Sequence, residues 1–184
     1  MIKVRNAKEE DLKAVFEINQ LNSSNPNKPA KEKEFCLYLY AGYYMKNEIE
    51  NCFVAYESET DEIQGYILCS KDYDDYLSVI ETEYTNKAEE LGFKERFVTE
   101  IHAYERFKEE YPAHLHIDVR PGNQHKGIGS LLLDALMEHL RNEHVHGVML
   151  LVGKKKESGN RFYEKNGFDV IAESENVFVR GKRL

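Results

Sequence analysis

Apolar and polar positions follow two rhythms along this chain, and the changes between them mark its elements. Ile2 to Arg5 alternates at period two, which predicts an opening strand. Asn6 and Glu9 have the spacing of a capping box. Leu12, Val15, Phe16 and Ile18 then mark an amphipathic helix to about Gln20. Asn22 to Pro29, with its serines, asparagines and prolines, reads as a loop. Phe35, Leu39 and Tyr43 stand four apart, so a second helix is expected from Lys31 to Lys46. Its tyrosines Tyr38, Tyr40, Tyr43 and Tyr44 fit amphipathic packing with the hydroxyls at the surface, or else the lining of a binding pocket. Cys52 to Tyr56 and Ile63 to Ser70, joined by the polar turn Glu57 to Glu62, predict an antiparallel hairpin.

The stretch Asp72 to Tyr111 is long and charged. Tyr76, Val79, Ile80 and Tyr84 suggest one helix, and Phe97, Ile101, Tyr104 and Phe107 another, with Leu91-Gly92 as the break. A structureless loop of that length is improbable in a compact domain, so a helical insertion is expected. Leu115 to Val119 alternates as a strand. Ile128, Leu132, Leu136 and Leu140 place an apolar stripe on the next helix. Gly147 to Val152 is a near-continuous apolar run, as in a buried parallel strand. Together these read as a right-handed βαβ crossover. Glu157 to Lys165 is a short helix stopped at Asn166-Gly167. Phe168 to Ala172 and Val177 to Arg180 are closing antiparallel strands. The expected class is α/β (α+β): a mixed, mostly antiparallel central sheet flanked by helices.

Composition narrows the function. The 184 residues suit one domain, 1–184, with the insertion at about 72–111. A net charge of −8 argues against nucleic-acid binding by bulk electrostatics and permits cationic partners. Cys36, Cys52 and Cys69 are odd in number and widely spaced, which fits reduced thiols and a cytoplasmic protein. His139, His144 and His146 lack a convincing ligand spacing, so no metal is assigned. No apolar run is long enough to span a membrane, and nothing N-terminal resembles a signal peptide.

The candidate chemistry sits where the strand Leu115 to Val119 turns into a helix. Pro121-Gly122-Asn123 leads into Gln124-His125-Lys126-Gly127-Ile128-Gly129-Ser130. Two glycines one residue apart let the backbone bend and turn consecutive N–H groups outward. The helix N-terminus behind them adds unpaired N–H groups and a positive dipole end. Such a cradle suits an anion, most naturally a pyrophosphate. The Walker pattern needs Gly-Lys-Ser/Thr, and the dinucleotide fingerprint needs a further glycine where Leu132 stands; both are excluded.

Gln-x-x-Gly-x-Gly after a strand ending Val-x-Pro resembles the GNAT superfamily of acetyl-CoA-dependent N-acetyltransferases. Downstream, Asn160-Arg161-Phe162-Tyr163-Glu164-Lys165-Asn166-Gly167-Phe168 is similar to that family's Phe-Tyr-x-x-x-Gly-Phe segment. Most of the chain is covered by the resemblance, and Leu115 to Phe168 carries its specific part. Tyr111-Pro112 leading into His114 to Val119 also resembles bacterial members related to the acetyltransferase-like domain of O-GlcNAcase. The resemblance implies acetyl-CoA as cosubstrate, with its pyrophosphate on Gln124, His125, Lys126, Gly127, Ile128, Gly129 and Ser130. It further implies contacts from Ile117, Val119, Asn160 and Phe162, with the Val119 N–H polarising the thioester carbonyl. The implied acceptor is a small-molecule or peptide amine, and the implied assembly a monomer or homodimer without nucleic acid or membrane.

Making an amide from a thioester requires a neutral amine, a polarised carbonyl and a proton for the departing thiolate. Tyr163 is the donor by resemblance; a phenol keeps its proton at neutral pH. Asp118 shares a strand face with His116 and is the first choice as base, directly or through a water. The other reading of Asp118 is a structural network with His116 or His114. One departure stands out. Where many members have Asn-x-x-Ala before Phe-Tyr, this chain has Lys156 and Gly159. Asn160 could replace the asparagine, or Lys154, Lys155 and Lys156 could reach phosphates as point charges. The competing reading is a catalytically inactive GNAT-like module that binds coenzyme A or a peptide.

Overall fold

The computed structural model describes all residues, Met1–Leu184. Seven strands form one sheet: β1 (Ile2–Asn6), β2 (Phe53–Glu57), β3 (Ile63–Ser70), β4 (Ala113–Val119), β5 (Gly147–Gly153), β6 (Asp169–Glu173) and β7 (Val177–Arg183). Their order is β1-β2-β3-β4-β5-β7-β6. Every neighbouring pair is antiparallel except β4 and β5. This is the expected mixed, mostly antiparallel sheet.

Helices cover both faces because β3 and most of β5 are buried on both sides. One face carries α1 (Leu12–Leu21), α2 (Ala30–Leu37), α3 (Tyr43–Asn47), α4 (Tyr73–Leu91) and α5 (Lys94–Ile101). Val15, Ile18, Phe35, Tyr66, Leu68, Ile80 and Phe97 share its core. The other carries α6 (Ile128–Asn142), whose Leu132, Leu136 and Leu140 are buried with Ile67, Leu115, Val148 and Leu150. Its rim holds Phe162 and Tyr163 of α7 (Glu157–Lys165).

The insertion is helical, as its spacing predicts. Asp72 caps α4 by accepting from the N–H groups of Asp74 and Asp75 at 2.9 and 3.0 Å. Gly92, at φ +86°, ends it where Leu91-Gly92 marks the break.

Three local expectations are corrected. The strand continues through Asn6, which pairs with Phe53, so the capping box falls later, where Lys8 N–H donates to Asp11 Oδ2 at 2.8 Å. The helix expected from Lys31 to Lys46 is broken by a π-helical turn, Tyr38–Gly42, between α2 and α3. Such a turn rotates the residues after it relative to an α-helical frame. Tyr40 therefore turns toward β4 while Tyr43 and Tyr44 enter the core. Their hydroxyls are not at the surface: Tyr43 donates to Glu48 at 2.7 Å, and Tyr44 pairs with His114 Nε2 at 3.0 Å. All three cysteines are buried free thiols.

Glycine is required where β7 meets the segment before β4. A Cβ at Gly181 would lie 2.7 Å from the Tyr111 ring. Gly181→Ala is expected to lower stability by ~1–3 kcal/mol, the usual cost of overpacking, read as a lower urea midpoint. An unchanged midpoint would mean that Tyr111 does not hold this contact in solution.

Candidate active site

β4 and β5 begin paired and then part. Their ladder joins only Ala113 to Val148 and His114 to Met149. Beyond it β4 runs to Val119 paired with β3 alone, and β5 runs to Gly153 paired with β7 alone. A wedge-shaped gap opens between the two parallel strands toward their C-terminal ends. Main-chain groups lining it lack a strand partner. Arg120 N–H donates to Gln64 O at 2.8 Å, on the β3 side. By alternation, the N–H groups of Ile117 and Val119 face the gap. The orphaned Val119 carbonyl is satisfied by side chains instead: Asn22 Nδ2 at 3.1 Å and Gln124 Nε2 at 3.4 Å.

At the wide end of the gap, the turn after β4 forms the expected cradle. His125 and Gly127 both adopt left-handed conformations, at φ +63° and +84°. The first α6 bond of this turn runs from Leu131 N–H to Gly127 O at 3.1 Å. The helix has no side-chain cap, so the N–H groups of Ile128, Gly129 and Ser130 lack a partner within the helix. Lys126 Nζ donates to Asn123 Oδ1 at 2.7 Å, and Asn123 Nδ2 to Gln64 Oε1 at 2.6 Å, which ties the loop to β3. Gly129 has a second role: a Cβ there would meet the Phe162 ring at 3.3 Å. The loop and α7 therefore pack through this pair.

Tyr163 comes directly after Phe162 on α7. Its ring is edge-on to Phe162 and Phe168, with centroids 5.4 and 5.9 Å away. Burial pushes its phenol pKa up, and the negative charge of Asp118 adds to the effect. The proton stays on at neutral pH.

The opposite face of β4 carries His114, His116 and Asp118. His114 is fully buried beneath the ladder, where Tyr104 stacks on it at 4.8 Å. Burial drives its pKa down to about 3, so it is neutral. It is separate from Asp118, which pairs with a different set. Tyr66 donates its hydroxyl to Asp118 Oδ2 at 2.8 Å and accepts from Asn19 Nδ2 at 3.2 Å. His116 Nδ1 lies 3.5 Å from the Tyr66 hydroxyl and 3.9 Å from Asp118 Oδ2. Burial raises the Asp118 pKa and lowers that of His116, each charge opposing the shift of the other. The side chains stay partly open, 17% for Asp118 and 30% for His116. The insertion closes the cluster from above. Tyr40 covers the His116 ring at 5.3 Å and donates to Glu100 of α5 at 2.5 Å. Arg96 donates to that carboxylate at 2.7 Å.

Asn160 does not hold a free amide toward the gap. Its Nδ2 donates to Gly153 O and Lys156 O, both at 3.0 Å, and Arg180 Nε donates to its Oδ1 at 3.2 Å. It braces the turn from β5 into α7. Lys154 is taken up by Glu173 at 2.7 Å. Lys156 has no ion-pair partner, and its charge bears on both His116 and Asp118. Sequence reasoning missed Asn19, Asn22, Tyr66 and Glu100. Each lies far along the chain from the motif, and only the i, i+2 spacing of His116 and Asp118 hinted at a polar face.

Residues 12–168 match the profile of the family described as Acetyltransferase (GNAT) family. Among solved structures, the chain is similar to SsHAT, with a TM-score of 0.83 at 24% identity, covering 99% of this chain and 98% of that one. It is similar to PH1933 from Pyrococcus horikoshii OT3, with a TM-score of 0.70 at 19% identity, covering 100% and 99%. It also resembles the PaiA N-acetyltransferase from Thermoplasma acidophilum, solved in complex with coenzyme A. There the TM-score is 0.63 at 16% identity, covering 100% and 99%.

Proposed function

The chain belongs to the GNAT acetyltransferase family, and on that basis we propose that it transfers an acetyl group from acetyl-CoA to a primary amine by direct attack in a ternary complex. The observation that carries this reading is the parting of β4 and β5 directly beside a cradle of unpaired N–H groups. Acetyl-CoA, the family's cosubstrate, supplies the acetyl group as an activated thioester. The N–H groups of Ile128, Gly129 and Ser130 would hold its pyrophosphate, with His125, Lys126 and Gly127 shaping the loop and Gln124 fixing its edge. The edge N–H groups of Ile117 and Val119 would hold the pantetheine arm, and the Val119 N–H would polarise the carbonyl. Phe162 packs the loop against α7. Asn160 acts through the β5–α7 turn.

Tyr163 donates the proton that the departing sulfur needs. The polar cluster of Asp118, Tyr66, Asn19 and His116 draws the proton from the acceptor. The acceptor approaches over Tyr40 and the insertion, whose Glu100, paired with Arg96, holds the Tyr40 hydroxyl in place over His116. The acceptor is a small molecule or a peptide, and the whole chain acts as one domain in the cytoplasm.

Thiol release from acetyl-CoA across an amine panel tests the reading. Turnover that depends on both acetyl-CoA and amine is expected. Tight coenzyme A binding with no turnover on any amine would favour a binding module. Glu100→Gln is expected to raise the acceptor KM several-fold while leaving the Kd for acetyl-CoA unchanged, by calorimetry. A change confined to acetyl-CoA affinity would contradict the placement of the insertion over the acceptor.

A further inference from the structure

The polar cluster on β4 has a directionality set by its hydrogen-bond count. The Tyr66 hydroxyl has one proton and two lone pairs. The proton goes to Asp118 Oδ2 at 2.8 Å, and one lone pair accepts from Asn19 Nδ2 at 3.2 Å. What remains toward His116 is a lone pair, 3.5 Å from Nδ1. The neighbouring Asp118 oxygen, 3.9 Å from Nδ1, is likewise an acceptor. Both groups facing Nδ1 therefore call for a donor there. The neutral ring carries its proton on Nδ1 and leaves Nε2 as a bare lone pair. No protein group bonds Nε2, and the side chain retains 30% exposure, so that lone pair is not sealed in the core. Tyr40 on one side and Tyr66 on the other, at 5.3 and 6.1 Å, restrict the ring from turning over.

We propose that His116 is the catalytic base, taking the proton of the acceptor amine on Nε2, while Tyr66 and Asp118 are positioning residues that fix its tautomer and balance its charge. This rests on the acetyltransferase reading and divides the work within the Asp118 cluster. The acceptor nitrogen forms a bond to the acetyl carbon and the carbon–sulfur bond breaks. One proton of the amine passes to His116 Nε2, and the sulfur receives the Tyr163 proton. Tyr163 packs at the rim of the α6 core and His116 lies against Tyr40, so the two protons move at different side chains. Asp118, already bonded to Tyr66, faces the imidazolium as it forms.

Groups bearing on His116 come from five elements: Asp118 on β4, Tyr66 on β3, Tyr40 in the π turn, Glu100 and Arg96 on α5, and Lys156 before α7. Asp118 and Glu100 favour the imidazolium; burial and Lys156 oppose it. His116 is thus neutral at neutral pH and loses its basicity only as the pH falls through its lowered pKa. The rate should fall on the acid side. Asp118→Asn removes a charge that raises this pKa, so the acid limb should move to lower pH. Lys156→Gln removes a charge that lowers it, so the limb should move to higher pH.

The experiment pairs two readouts on the full chain. Nitrogen-15 spectra of the imidazoles, which need no activity, should show His116 as the Nδ1–H tautomer at neutral pH. The opposite tautomer overturns the proposal whether or not the protein turns over. Single-turnover rates against pH should show a loss of ~10²-fold or more in His116→Gln, partial rescue of His116→Ala by added imidazole, and the two opposed limb shifts. His116→Gln with the parent's rate and acid limb would assign the base elsewhere while leaving the acetyltransferase reading intact. Absence of turnover in the parent protein would instead count against that reading.

Discussion

Tyr163→Phe is expected to fold as the parent does, to bind acetyl-CoA with unchanged affinity, and to slow the acetyl-transfer step by ~10²–10⁴-fold, the range of general acid catalysis. That loss corresponds to about 2.7–5.5 kcal/mol of barrier. Folding is spared because the ring keeps its contacts with Phe162 and Phe168 and only one oxygen is removed. Binding is spared because the proton matters only as the carbon–sulfur bond breaks. Burial and the Asp118 charge both favour the neutral phenol, so it arrives at that moment with its proton. An acyl donor with a more acidic thiol should lose less, since its thiolate leaves without help. Single-turnover rates are required, because product release can hide the chemical step. Equal rates for variant and parent would make Tyr163 a packing residue.

Gly127→Val is expected to weaken coenzyme A binding by about 10–100-fold, the equivalent of roughly one charge-assisted hydrogen bond. Gly127 stands at φ +84° with open space around its Cα, so no atom of the protein would meet a Cβ there. A valine branches over the N–H groups that the cradle presents, and it also strains the left-handed backbone by ~1–3 kcal/mol. Gly122→Val separates the two effects. Gly122 lies in the same connection at φ +87°, also with open space, and ahead of the cradle. Both variants should lose similar stability, and only Gly127→Val should lose affinity by calorimetry. Equal affinity in the two would remove the pyrophosphate from this loop.

Local rhythm made most of the fold legible. The α7 helix matches its expected span, Glu157 to Lys165, because its Asn166-Gly167 stop is a local signal. The insertion was readable for the same reason. The π turn at Tyr38–Gly42 was not, since tyrosines at helical spacing read alike in either geometry. Asn6 was misread because pairing with Phe53, which spacing cannot see, outweighs a cap. The cradle was legible as glycines, yet the role of Gly129 against Phe162 depends on a contact across the fold. The base cluster was legible only at His116 and Asp118. Its partners Asn19, Tyr66 and Tyr40 come from three elements that the sheet and the π turn bring together.

The amide spectrum of the protein, recorded with and without acetyl-CoA, tests the central claim most directly. Binding in the gap should shift the N–H signals of Ile117 and Val119 on β4 and of Ile128, Gly129 and Ser130 at the head of α6, leaving β1 and β2 undisturbed. Saturable binding that leaves those five signals in place would contradict the account, because acetyl-CoA would then sit away from both the parted strands and the cradle.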